Sequence, residues 1–195
     1  WLFNPRDHGA DIILHSSTKF LTGHATTIGG VIVDCGTFDF SQNDRFPGLV
    51  EPDETYNGLA YWPALGPGAF IIKARVQLLR DLGTAISPFN AFLTAQGIET
   101  LSLRVERHVE NTKKVADFLA AHPQVEKIYY AGIESSPYYE LAQRLLPKGA
   151  GSVISFELAG GVEAGKKFVD ALQLHSHVAN IGDVRSLIIH PASTT

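Results

Sequence analysis

Residues 11–24 read Asp-Ile-Ile-Leu-His-Ser-Ser-Thr-Lys-Phe-Leu-Thr-Gly-His, followed shortly by Gly29-Gly30-Val31-Ile32-Val33-Asp34. Ile12, Ile13 and Leu14 form a short apolar run and Val31-Ile32-Val33 a second, and each is expected to be a buried strand. Between them lies a polar segment with several hydroxyls and one lysine, Lys19. Its glycines, Gly23, Gly29 and Gly30, permit turns that a side chain would obstruct. A lysine leaving the end of a buried strand is unusual, because an ammonium is seldom left without water or a partner. Taken alone, the segment reads as an exposed lysine in a strand-to-strand loop, since exposed lysine is the rule.

Outward from this segment, residues 37–68 hold Phe46-Pro47-Gly48, Glu51-Pro52-Asp53, Tyr56-Asn57-Gly58, Trp62-Pro63 and Gly66-Pro67-Gly68. These are successive turn signals and predict a long ordered loop, packed by its aromatic residues. From Ala69 to Leu82, Ile71, Ala74, Leu78 and Leu82 share one stripe of a helix that Gly83 ends. Ser87-Pro88 opens a second helix that is expected to falter at Gly97. A longer helix over about 99–121 carries Leu101, Val105, Val109, Thr112, Ala116 and Leu119 on one face. The pairs Glu110–Lys114 and Lys113–Asp117 lie on the other, and His122-Pro123 stops it. Strands over 125–130, 152–158 and 185–190 then alternate with helices over 137–146 and 162–172. That alternation predicts an α/β layer.

Apolar residues at 45% and charged residues at 18% describe a globular chain with a sizeable core. A net charge of −4 and a pI near 6.0 leave no footprint for nucleic acid or an anionic membrane. No apolar run approaches the ~18 residues of a membrane span, and no signal peptide is recognisable. The single Cys35 cannot form an internal disulfide; it fits a reducing cytoplasm and reads as a structural thiol at a strand end. With no methionine, and opening on Trp1-Leu2-Phe3-Asn4-Pro5, the chain is expected to be a fragment of a longer protein. No metal-ligand spacing stands out, and no set of nucleophile, histidine and acid is assignable. His15 and His24 flank a structured turn, and Arg104 and Arg107 are expected on a polar helix face; all four are read as scaffold.

The segment His15-Ser16-Ser17-Thr18-Lys19-Phe20-Leu21-Thr22-Gly23-His24 closely resembles the cofactor-lysine segment of the pyridoxal-phosphate enzymes of cysteine and methionine metabolism. The resemblance runs on through Phe46-Pro47-Gly48, Glu51-Pro52-Asp53, Ser87 to Phe92, Glu99-Thr100-Leu101, Arg107-His108, Ser136 to Tyr139, Leu146 to Gly151 and His190 to Thr195. It thus covers essentially the whole chain. Residues 43–68 make it most similar to the O-acetylhomoserine sulfhydrylase branch.

The resemblance implies an α/β fold, in which residues 1–100 form the C-terminal part of a fold-type I cofactor domain and residues 101–195 a smaller α/β domain. The cofactor it implies is pyridoxal 5'-phosphate, bound as a Schiff base by Lys19, with Ser16 and Thr18 on its phosphate. Asn180, in Asn180-Ile181-Gly182-Asp183, matches a segment that contacts the substrate carboxylate; read on its own, that stretch is equally a turn. The implied reaction is γ-replacement in methionine biosynthesis, O-acetyl-L-homoserine and sulfide giving L-homocysteine and acetate. Lys19 serves there as the base on the α-proton. The protein is expected to be cytoplasmic and a homotetramer built from dimers. A methionine γ-lyase, a cystathionine β- or γ-lyase, or a non-catalytic relative would share the lysine segment. An aromatic that stacks on the cofactor ring, an aspartate for its nitrogen and an arginine for the substrate carboxylate have no assignable counterpart in this sequence.

Overall fold

A computed structural model describes residues 1–194. Its packing divides the chain into two compact units: Asn4–His15 with Gly29–Phe89, and Trp1–Phe3 with Ser16–Ile28 and everything from Asn90 onward. This division by packing does not follow the boundary expected near residue 100. The turn bearing Lys19 goes with the C-terminal half of the chain, because Arg104 holds two of its carbonyls.

In the first unit, β1 (Ile12–Ser16) pairs with β2 (Gly30–Asp34) in a two-stranded sheet. Both runs are therefore strands, but the expectation of burial fails. Leu14 is 73% exposed, and Val31, Ile32 and Val33 are all open. Two strands alone have no layer to cover their apolar faces.

The Gly- and Pro-rich stretch is more regular than a loop. It folds into short helices α1 (Pro47–Val50) and α2 (Tyr61–Leu65), with 3-10 turns over Glu54–Tyr56 and Gly66–Gly68. Pro47 sits in the first turn of α1, where a helix lacks N–H partners in any case. The packing of the aromatics is as expected. Phe40, Leu49, Tyr61 and Ala69 are buried, with Phe38, Phe46, Trp62 and Phe70 against them. Phe40 meets Phe46 edge-to-face at 5.3 Å and stacks on Phe70 at 6.1 Å. Asp53 caps the Glu54–Tyr56 turn through the Thr55 N–H at 3.0 Å and pairs with Lys73 at 3.0 Å. The Ala69–Leu82 helix is present in three pieces, α3 (Ala69–Lys73), a wider π segment (Ala74–Leu79) and α4 (Arg80–Leu82). It ends at Gly83 in the left-handed conformation, φ +67°.

The second unit is built on α5 (Pro88–Glu99) and α6 (Leu101–Ala120). Helix α5 does not stop at Gly97. The glycine lies buried within it, and a Cβ there would stand 2.6 Å from the Leu21 carbonyl oxygen. Along α6, Val105, Thr112, Ala116 and Leu119 are buried, as the four-and-three spacing requires. Lys114 bonds Glu110 at 2.7 Å, whereas Lys113 and Asp117 make no ion pair among the described residues.

Beyond α6, β3 (Val125–Tyr129) runs antiparallel to β4 (Ser155–Leu158), with α7 (Tyr139–Leu145) between them in sequence. Ala116, Tyr130 and Ile133 form the small core here, and the Tyr130 hydroxyl donates to the Gly151 carbonyl at 3.1 Å. Helix α8 (Gly161–Ala171) follows, its Phe168 edge-on to Phe156 of β4 at 5.7 Å. The last sheet is parallel, β5 (Ser176–His177) with β6 (Leu187–Ile188), and α9 (Pro191–Thr194) closes the described chain. The strand expected over 185–190 is thus shorter. Its partner β5 has only two residues, too few to show a period. Among the described residues, no helix is long and apolar enough to cross a membrane.

Candidate functional site

The chain leaves β1 at Ser16 and enters one wide helical turn, Ser17–Leu21. Lys19 itself is not helical, at φ −91° and ψ −127°, so the turn is broken at the lysine. Two local bonds close it, Thr22 N–H to Ser17 O at 3.1 Å and Gly23 N–H to Lys19 O at 2.8 Å. The alternation of exposure suits a ligand. Ser16 is open, Ser17 is buried, and Thr18 and Lys19 are half-buried. The Ser17 hydroxyl is sealed in and meets no hydrogen-bond partner among the described residues, so it belongs to the packing beneath the turn.

The Lys19 amine donates to Asn180 Oδ1 at 2.7 Å, across 161 residues of sequence. Asn180 lies in the connection after β5, and that connection is locked to the lysine turn at two further points. The Val184 N–H donates to Gly23 O at 2.8 Å. Gly182, at φ +76°, comes so close that a Cβ would lie 2.6 Å from the Phe20 nitrogen. Asp183 is buried and accepts from the Arg185 N–H at 2.9 Å, which holds the bend.

Beneath the turn lie α5 and α6. Thr22 and Thr94 are both buried and share a hydroxyl bond at 3.2 Å. His108 presents its ring edge-on to Phe20, 5.9 Å between centroids. Burial, and next the Arg104 charge, hold its pKa below the usual histidine value, against the opposing pull of Asp183. Arg104 donates to Phe20 O at 2.9 Å and to Leu21 O at 3.3 Å.

The expectation that Arg104 and Arg107 share a polar outer face is therefore corrected for Arg104, which turns inward. Arg107 is open and pairs with Glu110 at 3.4 Å. Of the two histidines, His15 is exposed, and His24 donates through Nδ1 to the Thr22 carbonyl at 2.8 Å. Inward-facing Arg104, Gly97 and Gly182 are the residues that pattern reading passes over. The only signal is a glycine inside a helical period at residue 97.

The donor set fits a phosphate-bearing aldehyde. Two hydroxyls stand three and one residues before Lys19, on the open Ser16 and the half-buried Thr18, and the amine rests on a neutral amide oxygen. Lys19 makes no ion pair among the described residues, so no salt bridge has to break before it forms a covalent bond. Among the described residues, no group of three or more His, Cys, Asp or Glu side chains is placed to hold a metal.

Known proteins point the same way. The chain is 52% identical to an O-acetyl-L-homoserine sulfhydrylase of Leptospira meyeri, covering all of this chain and 46% of that protein. It is 48% identical to a homocysteine synthase of Schizosaccharomyces pombe over the same shares. The chain spans about half the length of the curated relatives it matches. Among solved structures, a Campylobacter jejuni protein described as an O-acetylhomoserine (thiol)-lyase, carrying N'-pyridoxyl-lysine-5'-monophosphate, superposes at TM-score 0.94. It is 38% identical over all of this chain and 46% of its own. A cystathionine gamma synthase of Xanthomonas oryzae pv. oryzae superposes at 0.73 and 36% identity, over all of this chain and 42% of its own. The fold is thus the α/β fold of pyridoxal-phosphate-dependent transferases. The model of the Cys/Met metabolism PLP-dependent enzymes matches residues 1–195, and the chain belongs to that family.

Proposed function

We propose that the whole protein carries out γ-replacement: O-acetyl-L-homoserine and sulfide give L-homocysteine and acetate, a step of methionine biosynthesis. The observation that carries this is the Lys19 amine, held at 2.7 Å by Asn180 on a turn that follows the Ser16 and Thr18 hydroxyls. The relatives named for this activity, at about half identity along the entire chain, support the choice of reaction over its neighbours. When bound, pyridoxal 5'-phosphate would supply an aldehyde for Lys19 and an electron sink for the substrate α-carbon.

The chain's own residues do the rest. Ser16 and Thr18 offer hydroxyl donors to the phosphate. With the cofactor bound, Lys19 would hold its aldehyde and, once freed by the substrate amine, would take the α-proton and return protons as acetate leaves the γ-carbon and sulfide adds there. General acid–base work of this kind contributes ~10²–10⁴-fold. Asn180 accepts from Lys19 through Oδ1, which leaves its amide N–H groups for the substrate carboxylate. Replacing Asn180 by alanine is expected to raise KM for O-acetylhomoserine about tenfold or more, from the ~1.5–3 kcal/mol of a hydrogen bond to a charged group. An unchanged KM would remove Asn180 from substrate binding.

The reading extends to architecture. Residues 1–100 would complete a large cofactor domain whose further strands cover the open apolar faces of β1 and β2, and residues 101–195 would form the smaller domain. The protein is proposed to be a cytoplasmic homotetramer, a dimer of dimers, with no nucleic-acid or membrane partner. Assay of the full-length protein decides the reaction. Homocysteine and acetate from O-acetylhomoserine plus sulfide are expected; α-keto acid and ammonia from methionine or cystathionine would make it a lyase instead.

A further inference from the structure

The Ser17–Leu21 turn satisfies only part of its own backbone. Its local bonds use the carbonyls of Ser17 and Lys19, leaving those of Phe20 and Leu21 as the last carbonyls of a helical turn, which need outside donors. Arg104 supplies them from α6: Nη1 donates to Phe20 O at 2.9 Å and Nη2 to Leu21 O at 3.3 Å. On the helix side the same group is pinned, Nη2 to Gly97 O at 2.5 Å and Nε to Thr100 Oγ1 at 3.2 Å. Arg104 is half-buried and makes no ion pair among the described residues. Burial accordingly pushes its pKa below the usual arginine value. A guanidinium desolvated among neutral oxygens is costly to keep. Its planar fork fixes the carbonyls of the two residues that directly follow Lys19, and Gly97 and Gly182 let the neighbouring backbone close on the same turn.

We propose that Arg104 is a positioning residue for Lys19: by gripping the Phe20 and Leu21 carbonyls, it sets the turn from which the lysine amine reaches the cofactor aldehyde. This rests on the assignment of Lys19 as the cofactor lysine. A lysine at position 104 would keep the charge but lose the fork, since one ammonium cannot serve four oxygens in one plane.

The test uses the full-length protein with pyridoxal phosphate, borohydride reduction at timed intervals, and mass spectrometry of the Lys19 peptide, with circular dichroism reporting the folded fraction. Arg107→Gln, on the same helix but 71% exposed, is the control. Wild type and R107Q are expected to label Lys19 at the same rate. R104K and R104Q are expected to fold and to label at least about tenfold more slowly, within the ~10²-fold that a 1 Å misplacement costs. Labelling at the wild-type rate in either folded variant would overturn the proposal. Unfolding of both would overturn it as well, because the arginine would then support the fold at large. Absence of label on Lys19 in the wild type would be a separate result, overturning the assignment of the lysine itself.

Discussion

Full-length protein carrying Lys19→Ala is expected to lose turnover by at least the ~10²–10⁴-fold of a general base, and to take no borohydride-stable pyridoxyl group at this position. Both losses come from one atom. In the proposed role the amine would make the covalent bond that holds the aldehyde and would carry the α-proton, and no second lysine lies in the turn to replace it. The fold should survive. Among the described residues the side chain makes a single hydrogen bond, to Asn180, worth about 0.5–1.5 kcal/mol to stability. A circular dichroism spectrum like that of the wild type, together with absent homocysteine formation, is therefore the expected pair of results. Normal homocysteine formation by the folded variant would refute the role given to Lys19.

The parts of this chain that are legible from sequence are those where local period and burial agree. Helix α6 is the clearest, since its apolar spacing names the residues that are buried, Val105, Thr112, Ala116 and Leu119. The strands β1 and β2 are legible as strands but not in their burial, because an apolar run reports what a segment tends to bury and not which layers are present to cover it. Residues 37–68 read as turns. They are turns wound into short helices around Phe40 and Tyr61, and tertiary packing of aromatics has no period to read.

At the site the limit is different. Lys19, Ser16 and Thr18 sit within four residues and carry a recognisable pattern, whereas Lys19 and Asn180 are 161 residues apart. Only resemblance points to Asn180, and its bond to the lysine has no trace in the sequence. Arg104 escapes pattern reading for a general reason. Hydropathy patterns sort every arginine onto the wet face, yet a guanidinium can turn inward wherever backbone carbonyls await donors.

Gly182→Ala is expected to cost the full-length protein about 2–5 kcal/mol, from two sources. The glycine sits at φ +76°, where an L-residue pays ~1–2 kcal/mol. Its missing Cβ would stand 2.6 Å from the Phe20 nitrogen and 2.7 Å from the first atom of its ring, and overpacking of this sort costs ~1–3 kcal/mol. Neither neighbour can give way cheaply. The Phe20 backbone is held by Arg104 at its carbonyl, and its ring lies against His108. Relief must then come from the 180–184 connection, which would move Asn180 away from Lys19 two residues before the clash. The variant should accordingly unfold at lower denaturant and, where folded, show impaired labelling of Lys19 by pyridoxal phosphate. Gly151→Ala separates the two sources: it shares a positive φ of +84° but would meet nothing within 4 Å. That variant should lose only the dihedral part and label normally. Equal losses in the two variants would mean that the close approach of Gly182 to Phe20 does not constrain the lysine turn.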